Sequence, residues 1–362
     1  MIPFVDFTRE YKAIKREINA AVLRVLARGP VTLGPEVENF EKNFARYCGV
    51  KHCVGVNSGT DALFLSLVVA GIGRGDEVIV PVNTALPTAM AVVMSGARPV
   101  FVDCDFSSLI DIGKIPASIT KRTKAIIPVH LYGKACDMTR LRKMADDHRL
   151  VLIEDCAQAA GARWRGKKVG AWGDMACFSF YPTKNLGAYG DGGAVVTNNA
   201  DYHKKLRAAR FYGQANRVAC TTFGINSRLD ELQAVILDTK LKYVDSWNKK
   251  REELAGLYRR LIKNPVVSFP PAQKGHGHVY HLLVIRTKKR DALMKILAER
   301  GIKTMIHYPV LLHRQPFFKE SKNRSFPNAH AVNGEILSLP MYPHLRQKEV
   351  EVIARVINQA VL

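Results

Sequence analysis

Residues 175–197 read MACFSFYPTKNLGAYGDGGAVVT, and this stretch decides how the chain must fold. It opens on an apolar run, 175–180, and closes on another, 194–197. Between them stand Lys184 and glycines at 187, 190, 192 and 193. Apolar runs without polar alternation read as strands buried on both faces. Further runs of this kind lie upstream at 77–81 (EVIVP), 99–103 (PVFVD), 125–130 (AIIPVH) and 151–155 (VLIED). Helical spacing appears between several of them, at 61–69, 87–94 and 138–146. Strand and helix in alternation predict an α/β fold with a mainly parallel sheet covered by helices on both faces, a three-layer αβα arrangement.

Downstream the pattern changes. Residues 229–243 place Leu229, Leu232, Ile236, Thr239 and Tyr243 at helical spacing, which predicts a long helix. Residues 278–286 (HVYHLLVIR) read as a strand. Asp291 is placed to cap a helix over 292–300, with Gly301 as its stop. Residues 313–328 are polar and bounded by prolines, which predicts a surface loop. The expected organisation is a large domain over residues 1–240 with an N-terminal arm, and a smaller α+β domain over 241–362.

The chain has 362 residues with 54 Lys+Arg against 32 Asp+Glu, a formal charge of +22. Its 47% hydrophobic content excludes a disordered or collagen-like chain. The charge raises three anionic partners: nucleic acid, a membrane surface, or a phosphorylated small molecule. The basic residues are spread in short groups such as 249–251 and 288–290, without interleaved aromatics or zinc spacing. Nucleic acid is therefore not expected. No apolar run is long enough for a membrane span, and the N-terminus lacks a signal-peptide core. The seven cysteines form no CxxC pair, which fits reduced thiols in a cytoplasmic protein and no metal site. Residues 161–168 (GARWRGKK) have P-loop spacing up to a lysine, but the next residue is Lys168 where Ser or Thr must hold magnesium. The glycines of 71–75 follow a helical pattern and precede a strand, the reverse of a dinucleotide-binding turn.

Four segments carry chemistry. Asn57-Ser58-Gly59-Thr60-Asp61 lies between a strand and a helix. Its small and hydroxyl residues either cap that helix or bind an anion at its N-terminus. Asp155 closes an otherwise apolar strand, where it either caps the next turn or faces a ligand at the strand's carboxyl end. Lys184 leaves a buried strand toward glycine-rich turns, as a Schiff-base lysine would, although a lone lysine is usually a surface charge. Asn226 and Arg228 precede the helix at 229, either as its start or as donors to phosphate or carboxylate.

Taken together, in this order and spacing, these segments resemble the DegT-type sugar aminotransferases of the aspartate aminotransferase superfamily, fold type I. The likeness runs nearly end to end. It is carried most specifically by SFYPTKNLG at 179–187 and NSRLDELQA at 226–234, with IPFVD at 2–6, LGPEV at 33–37, VHLYG at 129–133, IHYP at 306–309 and LSLPMYP at 337–343.

The resemblance implies a cofactor, pyridoxal 5′-phosphate (PLP). It implies that Lys184 binds it as a Schiff base and that Asp155 pairs with its pyridine nitrogen. Gln158 then contacts the ring and its hydroxyl, and Gly59, Thr60 and Ser179 hold its phosphate. Asn226 reaches the phosphate from the neighbouring subunit, making a homodimer with shared active sites. Arg228, His307 and Tyr308 are implied on the substrate side. Many family members place an aromatic or His at the position of Ala85, so stacking on the cofactor is expected either from an aliphatic neighbour such as Leu86 or to be weaker. The implied reaction moves an amino group from an amino acid, taken to be glutamate, to a nucleotide-linked keto sugar, at carbon 3 of a dTDP- or UDP-keto-hexose. A PLP-dependent sugar dehydratase is the alternative, but such relatives carry His where this chain has Lys184. A cyclitol or other ring ketone is a second alternative substrate.

Overall fold

The computed structural model describes every residue except 30, 215–217, 272–275 and 322. Its strands are β1 (His52–Val56), β2 (Glu77–Pro81), β3 (Arg98–Val102), β4 (Thr123–Ile126), β5 (Val151–Asp155), β6 (Arg163–Trp164), β7 (Lys167–Lys168), β8 (Met175–Ser179), β9 (Gly193–Thr197), β10 (His276–Gly277), β11 (Leu283–Arg286) and β12 (Ile336–Leu339). Its helices are α1 (Phe7–Arg28), α2 (Pro35–Cys48), α3 (Gly59–Val69), α4 (Leu86–Met94), α5 (Met138–His148), α6 (Ala200–Ala209), α7 (Glu231–Leu241), α8 (Val244–Leu261), α9 (Arg290–Glu299), α10 (Pro327–Glu335) and α11 (Gln347–Gln359).

Seven strands form one sheet in the order β1-β9-β8-β5-β4-β2-β3. All neighbours are parallel except at β9, which runs antiparallel to both β1 and β8. The apolar strands feed two cores by simple alternation, because successive side chains point to opposite faces. Ile79, Leu152 and Phe178 enter one core, with Phe40 and Phe44 of α2. Val78, Val80, Ile153 and Cys177 enter the other, with Leu63, Leu65 and Leu67 of α3. In the first core the Phe44 ring sits edge-on to Phe178 and Phe180, with centroids 4.9 and 5.3 Å away. Burying one such ring contributes about 2–3 kcal/mol. The fold is the expected three-layer α/β arrangement.

A third core gathers Leu254 and Tyr258 of α8, Leu283 and Ile285 of β11, Leu293 and Leu297 of α9, Leu337 and Leu339 of β12, and Ile353 and Ile357 of α11. β11 and β12 pair antiparallel.

Several expectations change here. The helix read at 229–243 spans Glu231–Leu241, and Tyr243 instead flanks the start of α8. The strand read at 278–286 begins only at Leu283. Asp291 lies inside the first turn of α9, and Lys289 occupies the cap position without a side-chain bond. The segment 313–328 is not simply a surface loop: His313 and Phe326 are buried and their rings pack 4.8 Å apart. Leu311, Leu312, Phe326 and Ala329 complete the core around α3, so the C-terminal third returns to the large sheet.

Candidate active site

A cavity of about 380 Å³ opens at the carboxyl ends of the parallel strands. Its walls come from the start of α3, the start of α4, the end of β5, the turn after β8, and the segment around His307. Ligands of open α/β sheets bind at this edge because the loops that leave the strands converge there.

At the start of α3 the two readings of the sequence divide by residue. The Ser58 hydroxyl caps the helix by accepting the Asp61 N–H at 3.1 Å. Asp61 in turn accepts from Ser227 Oγ at 2.6 Å, and Ser227 Oγ accepts the Asn57 N–H at 3.0 Å. Gly59 and Thr60 line the cavity beside Ser179. Gly59 must lack a side chain, since a Cβ there would lie 2.7 Å from Ser179 Cβ. The result is a backbone cradle at a helix N-terminus, where free N–H groups and the helix dipole attract a phosphate.

Asp155 ends β5, nearly sealed from solvent. One carboxylate oxygen accepts from Thr88 Oγ1 at 2.8 Å and the other from the Ala157 N–H at 3.1 Å. Burial pushes its pKa up, and these two bonds with the Lys184 charge oppose that push. Lys184 lines the same cavity on the turn after β8. That turn is closed by the Lys184 N–H bonded to the Tyr181 carbonyl and by Lys240 Nζ bonded to the Gly187 carbonyl at 2.7 Å. Burial lowers the Lys184 pKa to about 8, with Asp155 pulling the other way.

Gln158 is held at both ends. Its amide oxygen accepts the Tyr132 N–H at 2.6 Å, and its amide nitrogen donates to the Tyr308 hydroxyl at 2.8 Å. Tyr132 reaches on to donate its own hydroxyl to the His307 carbonyl at 2.6 Å. His307 Nδ1 lies 2.9 Å from Ser338 Oγ. Burial lowers the His307 pKa to about 4 and raises that of Tyr308 to about 12, so both side chains are neutral near pH 7.

The cavity thus brings together Gly59, Thr60, Asp155, Gln158, Ser179, Lys184, His307 and Tyr308. Asn226 and Arg228 stay outside it. Asn226 is exposed, bridged to Phe211, and the Arg228 guanidinium lies 5.5 Å from the centre of the Phe211 ring. Leu86 is also outside, 42% exposed, so it does not supply the expected stacking surface. Ala85 and Pro87 line the cavity there instead; Ala85 stands at the cap position of α4, and Leu86 and Pro87 are its first two residues. Sequence reasoning missed Thr88 and His281. Both follow their neighbours in apolar helical or strand-like runs, and nothing local marks them.

Among the described residues one other group has metal-ligand character: His130, Glu154 and Cys156, with donor atoms within 4.8 Å of one another. Its capacity is already used. His130 Nδ1 accepts the Cys136 N–H at 3.0 Å, so its Nε2–H donates to Glu154 at 3.1 Å. Glu154 also accepts the N–H groups of Gly170, Trp172 and Gly173.

The model for the DegT/DnrJ/EryC1/StrS aminotransferase family matches residues 12–358. The chain belongs to this family. Its relatives are named transaminases, and the chain is a PLP-dependent aminotransferase. The cavity fits that cofactor: a phosphate cradle without a Cβ, a buried carboxylate and a lysine of lowered pKa share one wall-to-wall space.

Among similar proteins is the dTDP-3-amino-3,6-dideoxy-alpha-D-galactopyranose transaminase of Aneurinibacillus thermoaerophilus, 47% identical over 99% of both chains. Another is the UDP-N-acetyl-3-dehydro-alpha-D-glucosamine 3-aminotransferase of Acidithiobacillus ferrooxidans, 43% identical over 99% of this chain and 97% of that one. The crystal structure of Streptomyces venezuelae DesV in complex with a ketimine intermediate superposes with a TM-score of 0.96 at 44% identity, covering 99% of this chain and 98% of that chain. No described helix is long and apolar enough to cross a membrane.

Proposed function

We propose that this aminotransferase moves an amino group from glutamate to carbon 3 of a keto-hexose linked to dTDP or UDP. The observation that carries the reading is Lys184 and Asp155 lining one cavity with the α3 cradle, in a chain whose similar proteins include enzymes named for 3-amino sugar nucleotides. When bound, PLP supplies an aldehyde that takes up the amino group and a ring that stores the electron pair of the broken C–H bond.

The chain's own residues divide the remaining work. Gly59, Thr60 and Ser179 hold the phosphate at the α3 N-terminus. Asp155 holds a proton on the pyridine nitrogen, where a cation in turn keeps this buried carboxylate ionised. Gln158 contacts the ring and its hydroxyl, fixed in place by Tyr132 and Tyr308. Lys184 anchors the cofactor. Once displaced, its amine moves the proton at the reacting carbon, and a pKa of about 8 suits that exchange near neutral pH. His307 and Tyr308 shape the sugar pocket as neutral hydrogen-bonding groups.

The reading extends to a cytoplasmic homodimer with shared sites. No arginine lines the cavity among the described residues, so an anionic substrate group must be met from elsewhere. Asn226 and Arg228 lie outside their own chain's cavity, which suits donation to the neighbour's phosphate and substrate. Six of the seven cysteines are buried and all are free, which suits a reducing compartment.

The test is a half-reaction screen. Loaded enzyme is treated with glutamate until the cofactor's visible absorbance shifts, and dTDP- and UDP-linked 3-keto sugars are then added singly. Restored absorbance together with a nitrogen-bearing sugar identifies the acceptor. A sugar product without nitrogen indicates the dehydratase reaction instead. A Lys184→Ala variant that still turns over sinks the assignment.

A further inference from the structure

His281 lines the same cavity, yet no hydrogen bond among the described residues uses its ring. The residue is 7% exposed, and its Nδ1 is sealed from solvent with no hydrogen-bond partner. Nε2 also has no partner among the described residues, but it is not sealed, so it is the nitrogen the cavity reaches. Buried polar side chains are normally satisfied, and an orphan that faces a ligand space calls for a partner that arrives with the ligand.

The surroundings narrow the class of that partner. Burial and the nearby charges of Lys184 and Arg251 push the His281 pKa well below its ordinary value. A carboxylate or phosphate is satisfied only by the tautomer that carries its proton on Nε2, as His130 does toward Glu154, whereas the bare nitrogen of the other tautomer repels it. A neutral imidazole carries one N–H and one bare nitrogen, and which is which depends on the tautomer. A hydroxyl both donates and accepts, so it satisfies Nε2 in either tautomer. The amino donor brings carboxylates, whereas the sugar brings hydroxyls.

We propose that His281 Nε2 hydrogen-bonds a ring hydroxyl of the acceptor sugar and so helps determine which keto sugar is aminated. This rests on the aminotransferase reading given above. The contact belongs to the second half-reaction alone, because only then is a sugar in the cavity.

The test compares His281→Leu and His281→Gln in the PLP-loaded enzyme. Leucine keeps apolar bulk without a hydrogen bond, and the glutamine amide reaches about as far as Nε2. Three quantities are read: cofactor affinity, the rate with glutamate, and the single-turnover rate with the dTDP- or UDP-linked keto sugar accepted in the screen. The expected result for His281→Leu is a loss of about 5- to 20-fold in the sugar step, mostly in apparent affinity. Changes in the other two quantities should stay within about threefold, and His281→Gln should recover most of the loss. Equal losses in all three quantities would mean a structural role and overturn the proposal. An unchanged sugar step in a folded His281→Leu protein would overturn it as well. If wild type fails to react with glutamate, the proposed donor falls, which is a separate outcome.

Discussion

Thr88→Val isolates the bond that steadies Asp155. Thr88 is 1% exposed and Asp155 4% exposed, and their 2.8 Å hydrogen bond is shielded from water. Valine has nearly the same shape as threonine, so the change removes a donor without opening a cavity. A hydrogen bond to a charged acceptor contributes about 1.5–3 kcal/mol. Thr84, whose hydroxyl lies 3.2 Å from that of Thr88, also loses its partner. The bond is present with or without cofactor, so its loss reaches PLP affinity through the protonation of Asp155: where the raised pKa leaves the carboxylate protonated, pairing with the pyridinium first costs its ionisation. A rise of about one unit corresponds to about 1.4 kcal/mol, so PLP affinity below that pKa should fall by up to about tenfold.

The pH dependence has a definite sign. Burial already raises the Asp155 pKa and the Thr88 bond lowers it. Removing the bond raises it further, so on acidification the carboxylate is protonated earlier and the acid limb of cofactor binding moves to higher pH. The assay is titration of the cofactor-free protein with PLP, followed by absorbance across a pH series. Thr88→Ser should behave like wild type, since it keeps the hydroxyl. Affinity within twofold of wild type and an unmoved acid limb in Thr88→Val would refute the reasoning.

Three further outcomes are expected. Gly59→Ala forces a methyl to within 2.7 Å of Ser179 Cβ, and the shift should cost about 1–3 kcal/mol of PLP binding, read as at least a fivefold rise in Kd. Ala85→Phe puts an aromatic ring where the cavity wall is now aliphatic, and cofactor release should slow about 2- to 10-fold if the ring stacks on it. In the cofactor-free protein, Lys184 gives up its proton at about 8 when folded and at about 10.5 when unfolded. Between those values the unfolded chain binds more protons, so the Lys184 contribution to stability rises with pH. The Tm of wild type relative to Lys184→Met should therefore climb from pH 8 to pH 10, and a flat difference would count against a buried, destabilised lysine.

The strands were legible because burial on both faces writes itself into the sequence as unbroken apolar runs. The run at 77–81 and the run at 151–155 coincide with β2 and β5 residue for residue. The C-terminal part was harder. Residues 313–328 are polar, but polarity does not report burial when the ring of one histidine can pack on Phe326. Glu231 shows the same limit. In sequence it opens a helix, yet its carboxylate accepts the N–H groups of Gly34, Glu36 and Val37 and so caps α2, almost 200 residues upstream.

The sequence by itself determined the α/β class, the lysine, the terminal aspartate of β5 and the glycine-bearing start of α3. These are local signals: a charge closing an apolar run, or small residues where a helix begins. Only the tertiary structure decided that Thr88 bonds Asp155, that Tyr132 and Tyr308 grip Gln158, that Leu86 turns away while Ala85 faces the cavity, and that His281 waits there unpaired. Each depends on where a side chain from one segment points relative to another. That geometry is set by how helices and strands pack, and a one-dimensional pattern carries no direction across the cavity.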